Sequence, residues 1–182
     1  MAVQTRQHAV EEFDQIVMLP ENANKQLEYI GGEIVEMVSN DYSSEVAARI
    51  LGYIFAYLLQ NNIGRVTGAD GGYQVAGERY IPDVAFISKA RQPEPSHDAY
   101  NPNTPDLAVE VLSPSDKADD IRIKIANYLA AGTLLWVVEP ESKTVEIYMA
   151  GQKGRRARVG DILDGSDVLP GFTLAVKDVF PE

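Results

Sequence analysis

The feature that most constrains this chain is DLAVEVLS at 106–113, a nearly continuous apolar run rich in β-branched residues. A run of that length and composition is read as a strand buried on both faces. It is followed by Ser113-Pro114-Ser115-Asp116, with turn and N-cap chemistry, and by Asp119 three residues after Asp116, where the acid of a capping box sits. A helix is predicted from about 117 to 131, ending near Gly132, with further strands in TLLWVVEP and KTVEIYMA joined by a proline-containing turn. Within the apolar run stands Glu110, a carboxylate that is costly to bury unless it is paired, protonated or bound to a metal.

The flanking sequence supplies the other elements. Residues 8–18 read as a short amphipathic helix. KQLEYIGGEIVEMVS reads as two strands around a Gly31-Gly32 turn, with Glu33 opening the second. Apolar residues at Val46, Ala47, Ile50, Leu51, Ile54, Phe55, Leu58 and Leu59 recur at helical spacing, predicting a helix over 43–59 that packs on a sheet. Gly64 to Val75 reads as a strand or irregular hairpin arm, and IPDVAFIS at 81–88 as a strand. The four prolines between Lys89 and Pro105 predict a long surface loop. The tail from RARVG to TLAVKDVF predicts short strands. Hairpins first, then strands alternating with a helix, give an α/β or α+β fold: a mixed sheet flanked by helices. With 182 residues, 45% of them apolar, and no internal repeat, one domain over 1–182 is expected.

Composition narrows the function. No run of about 18 apolar residues is present, so no membrane span is expected, and the acidic N-terminal stretch lacks the apolar core of a signal peptide. The chain has no cysteine, which removes thiolate metal sites and fits the cytoplasm. A net charge of −11 argues against indiscriminate polyanion binding. The one visible basic cluster is Lys153, Arg155, Arg156 and Arg158 in a Gly-flanked segment, read either as a DNA-facing hairpin or as a solvated turn. Tyr100 and His97 lie in the long loop, where they would face a substrate or simply solvent.

Three residues do not suit their surroundings. Besides Glu110, Asp83 precedes Val84-Ala85-Phe86-Ile87 and shares a face with Ala85 and Ile87. Lys124 borders the helical stripe of Ile121, Ile125 and Tyr128, where an apolar residue would pack better. Each has an ordinary structural alternative. Asp83 would bond turn amides, Glu110 and Lys124 would form an ion pair, and Lys124 would snorkel to water. Taken together, two strand carboxylates and a lysine on the following helix suit one small site.

The order Pro82-Asp83, then Glu110-Val111-Leu112, resembles the PD-(D/E)xK signature. YIGGEIVEM, YIPDVAFIS, PDLAVEVLSPSDKADDIRIKIANYLAAG and LLWVVEPESKTVEIY together resemble the Uma-type family of endonucleases over roughly 10–178. The resemblance implies a restriction-endonuclease-like fold with additional β-hairpins. It also implies metal-binding carboxylates at Asp83 and Glu110, an additional acid at Glu33, and a lysine that has migrated from position 112 to Lys124. Two departures stand out: Leu112 occupies the place of the signature lysine, and Ser44 stands where many relatives are expected to carry histidine.

On that reading Mg²⁺ or Mn²⁺ is held by Asp83, Glu110 and the Val111 carbonyl, with Lys124 orienting the attacking water, and the substrate is DNA. Cutting both strands of a duplex favours a two-fold homodimer. The rival functions are a catalytically inactive binding or dimerisation module and a hydrolase for another phosphate ester. The apolar strands near Trp136 and Tyr148 read as core rather than interface.

Overall fold

The computed structural model describes residues 8–181. Its centre is a six-stranded sheet in the order β11-β10-β9-β8-β6-β3. These are β3 (Gly64–Gly68), β6 (Val84–Ser88), β8 (Leu107–Val111), β9 (Leu134–Glu139), β10 (Thr144–Tyr148) and β11 (Arg155–Arg158). The β8–β9 pair is parallel, so the chain must cross over between them, and it does so through helix α3 (Ala118–Ala130). Gly132, at φ +76°, ends that helix in the left-handed conformation that glycine adopts without a Cβ penalty.

A second sheet runs β2-β1-β5-β4-β7, built from β1 (Leu27–Ile30), β2 (Glu33–Glu36), β4 (Gly72–Val75), β5 (Glu78–Tyr80) and β7 (Tyr100–Asn101). Its first hairpin turns at Gly31 and Gly32, both at positive φ, as a tight two-residue turn demands. Strands β12 (Ile162–Gly165) and β13 (Leu169–Ala175) form a separate pair. The remaining helices are α1 (Val10–Ile16), α2 (Asp41–Gln60) and α4 (Val176–Val179).

Alternation along the strands of the six-stranded sheet sorts the core into two layers. Val84, Phe86, Leu107, Val109 and Trp136 face α2, where they meet Val46, Ile50 and Ile54. Ala85, Ala108, Leu135 and Val137 face the second sheet and α3, meeting Ile30, Tyr73, Tyr80 and Tyr128. Trp136 is buried and stacks on Phe172, so the strands near it are core, as expected.

The fold class, the first hairpin, the long helix and the strand–helix–strand unit follow the sequence reading. Four details differ. Asp116 does not cap α3: its Oδ2 accepts from the Ser113 amide at 2.6 Å and the Ser113 hydroxyl at 2.9 Å, and the cap position falls to Lys117 without a side-chain bond. The carboxylate is thus drawn back onto the loop, and the helix starts at Ala118. The strand expected from Ile81 begins at Val84, leaving Asp83 just before it. The 89–105 loop contains β7, because Tyr100 is buried against Phe13 and gives its hydroxyl to the Leu27 carbonyl; it is core, not substrate-facing. The tail ends in α4, whose buried Val176 and Val179 are spaced by three, as a helix requires.

Candidate active site

The register of the central sheet brings the two predicted carboxylates together. Val84 pairs with Val109 and Ala85 with Ala108, so continuing the ladder by one residue sets Asp83 opposite Glu110. By alternation, both belong to the face that looks toward α3. The Val111 amide donates to Asp83 Oδ2 at 2.7 Å, tying the end of β6 to that of β8. This bond satisfies the structural alternative for Asp83 in part, with a strand amide rather than a turn amide as donor. Oδ1 has no hydrogen-bond donor among the described residues. Asp83, Glu110 and Val111 line one small cavity of about 50 Å³, together with Ser39, Ser113 and Asp116.

Lys124 comes from the middle of α3 and is 2% exposed, so it does not snorkel to water. Its Nζ donates to Glu110 Oε2 at 2.9 Å and to Glu28 Oε1 at 3.0 Å, and lies 2.7 Å from Glu28 Oε2. The ring of Tyr80 lies 5.5 Å from the ammonium, within range of a cation–π attraction. The second oxygen of Glu110 accepts from the Tyr128 hydroxyl at 2.8 Å. The ion pair foreseen between Glu110 and Lys124 is therefore present, but it is one edge of a larger network.

Glu28 is the residue that the sequence reading missed. It is fully buried on β1, and one oxygen also accepts from the amide of Ile81, two residues before Asp83. Its signal was available: Glu28 interrupts Leu27-Tyr29-Ile30 as Glu110 interrupts β8. Glu33, by contrast, sits at the hairpin end of β2 opposite Ile30, and the lysine's ion pairs go to Glu28 and Glu110, not to it.

Burial dominates the electrostatics. It raises Asp83 to about 7, helped by the charge of Glu110 and opposed by the Val111 N–H. Burial likewise raises Glu28 to about 7, with the Lys124 charge pulling down and Glu110 pushing up. For Lys124, burial favours the neutral amine, but the charges of Glu110 and Glu28 outweigh it and hold the ammonium above the ordinary lysine range. Lys124 is thus shared by Glu110 and Glu28, while Asp83 is held by the Val111 amide and has Asp116 beside it on the same cavity.

Among the described residues no three acidic, histidine or cysteine side chains converge as a ready-made metal cage. What lines the cavity is Asp83, Glu110 and Asp116 together with Val111, oxygen donors suited to a hard cation that keeps several waters. This oxygen donor set fits Mg²⁺ or Mn²⁺.

The positions that depart from the signature also find their places. Leu112 is partly buried beside this network and donates its amide to the Val138 carbonyl. Ser44 is exposed in the first turn of α2, next to Ser43, whose hydroxyl donates to the Leu112 carbonyl. The basic cluster lies on and beside β11, at the sheet edge three strands from β8. The segment is the second arm of a β10–β11 hairpin rather than a turn, and its exposed arginines are paired with acids, Arg155 with Asp164 and Arg156 with Glu146. His97 is exposed, and His8 lies 3.0 Å from Glu12. Among the described residues no helix is long and apolar enough to cross a membrane.

No curated protein matches the chain. Among solved structures, a putative nuclease belonging to DUF820 from Anabaena variabilis ATCC 29413 superposes with a TM-score of 0.80 at 21% identity, covering 92% of this chain and 96% of that one. At that identity the likeness shows a shared fold. The sequence profile of Uma2, described as "Putative restriction endonuclease", matches residues 10–177. The chain, with its acidic pair at the ends of β6 and β8, belongs to the Uma2 family.

Proposed function

We propose that this protein is a metal-dependent DNA endonuclease that hydrolyses phosphodiester bonds at Asp83, Glu110 and Lys124. The observation that carries the reading is the pairing of Asp83 with Glu110 at adjacent strand ends, with the Lys124 ammonium 2.9 Å from Glu110. The family description and the nuclease-like neighbour point the same way.

Asp83, Glu110 and the Val111 carbonyl would hold Mg²⁺ or Mn²⁺. Bound there, the ion supplies Lewis-acid neutralisation of the substrate phosphate and lowers the pKa of water. Lys124 supplies a fixed positive charge for the negative charge that builds on the phosphoryl oxygens, and orients the attacking water. Glu28 holds the ammonium from the opposite side and is a positioning residue. Glu33 stays outside this set, where a supporting acid near the hairpin would act only through substrate. The cysteine-free composition fits a cytoplasmic setting, and cleavage of both strands is served by a two-fold homodimer.

One observation favours a second reading, a catalytically inactive binding module. Lys124 is paired with two carboxylates, and among the described residues no basic side chain lines the cavity. Plasmid cleavage decides between them. Nicking or linearisation that requires Mg²⁺ or Mn²⁺, stops with chelator and is lost in Glu110→Gln supports the nuclease. Intact plasmid under every metal condition leaves the binding module.

A further inference from the structure

We propose that Tyr128 is a positioning residue for the acidic site: its hydroxyl, acting with Lys124, fixes the plane of the Glu110 carboxylate. The inference rests on the nuclease reading for its consequence, but its geometry stands alone. A glutamate's terminal torsion joins an sp³ to an sp² carbon and is broad, so a carboxylate held at one oxygen still rotates. Glu110 is held at both. Lys124 donates to Oε2 at 2.9 Å and Tyr128 to Oε1 at 2.8 Å.

The two donors stand one turn apart on α3, and residues four apart share a helix face. One rigid element therefore delivers both bonds. The Tyr128 ring is fully buried and lies 5.4 Å from the Tyr80 ring, with 54° between their planes, so the phenol has little freedom to follow a rotating carboxylate. Tyr80 is itself fixed, because its hydroxyl accepts from Asn127 at 2.6 Å. Among the described residues Tyr128 is the only donor to Oε1. A phenol is protonated at neutral pH and donates, so the clamp leaves the remaining lone pairs of Glu110 with a fixed direction beside the cavity it shares with Asp83.

The test is Tyr128→Phe, which keeps the ring and removes one oxygen, with Tyr57→Phe as control. Among the described residues the Tyr57 hydroxyl donates only to the Pro170 carbonyl, on the α2 side of the central sheet. Mn²⁺ affinity is read by calorimetry well below the melting temperature, together with kcat at saturating Mn²⁺. Loss of one hydrogen bond to a charged acceptor weakens Mn²⁺ binding about tenfold or more, with kcat at saturation falling less and Tyr57→Phe unchanged. A Tyr128→Phe protein that is less thermostable but binds Mn²⁺ within about twofold of wild type, by the same yardstick, overturns the proposal and makes Tyr128 a packing residue. If the wild type binds no Mn²⁺, it is the metal-site reading that fails. The positioning claim is then read from the metal-free crystal structure of Tyr128→Phe: a Glu110 carboxylate turned off the Lys124 axis supports it, and one left in place overturns it.

Discussion

The two faces of the central sheet are built from alternate residues of the same strands, yet they do different work. Toward α2 the face is hydrocarbon: Val84, Phe86, Val109 and Trp136 meet Val46, Ile50 and Ile54 with no charge among them. Toward α3 the same strands carry Glu110 and lead out of Asp83, and the layer above adds Glu28, Lys124 and two tyrosines. The apolar face gains about 1.5–3 kcal/mol for each large side chain it buries. The acidic face instead tolerates two buried carboxylates, Glu28 and Glu110, around one ammonium, with the half-buried Asp83 beside them. Perturbed, buried charges of this kind are what a functional site concentrates, which is why the nuclease site is proposed on this face.

Breaking the acidic face at Lys124, the cation paired with Glu28 and Glu110, should have the largest effect. Lys124→Met leaves Glu28 and Glu110 buried without a counter-charge, and urea denaturation at neutral pH should show a loss of about 3–5 kcal/mol. Adding a divalent cation should recover part of it. On the other face, Ile50→Ala should cost about 2–5 kcal/mol through a cavity alone, and leave Mn²⁺ affinity where it was. Similar stability losses, one partly recovered by a divalent cation and the other indifferent to it, would separate the two faces cleanly.

A pH series sharpens the comparison without mutation. Asp83 and Glu28 are raised to about 7 from ordinary values of 3.8 and 4.5. Between those limits the folded protein keeps protons that the unfolded chain has released, so these groups make stability fall as pH rises toward about 7. In chelator, Asp83→Asn should flatten that fall by up to about 1–3 kcal/mol, whereas Ile50→Ala should keep the wild-type slope. Melts at a series of pH values give both slopes. The smallest effect belongs to the exposed edge strand, where Arg155→Ala removes an ion pair with Asp164 worth about 0–1 kcal/mol and should leave cleavage within error of wild type.

How much of this was legible in the sequence follows the same division. Where one physical demand acts alone, the pattern is clear: the helical spacing of α2, the apolar run of β8 and the Gly31-Gly32 turn each announce their element. Asp83, Glu110 and Lys124 were legible because each breaks an apolar pattern. Glu28 breaks one too, in a strand too short to advertise its burial, whereas Glu33 rests on the family resemblance alone. Which acid faces Lys124 depends on the pairing of β1 with β5 and on α3 lying across them, which no local spacing encodes. The buried Tyr100 was hidden in the same way by the prolines around it, since its strand β7 exists only through pairing with β4. Asp116 looked like a helix cap because the cap and the loop-closing turn use the same side-chain chemistry.

The central claim is that Asp83 and Glu110 form one divalent-cation site on the α3 face. Its most direct test is calorimetric titration of Mn²⁺ into the wild type and into Asp83→Asn, at a pH about one unit above the raised Asp83 value, so that the carboxylate is ionised. The account predicts saturable binding by the wild type that disappears in Asp83→Asn while the variant stays folded. Wild-type binding that survives in Asp83→Asn unchanged, or no binding by the wild type with DNA present or absent, would contradict it.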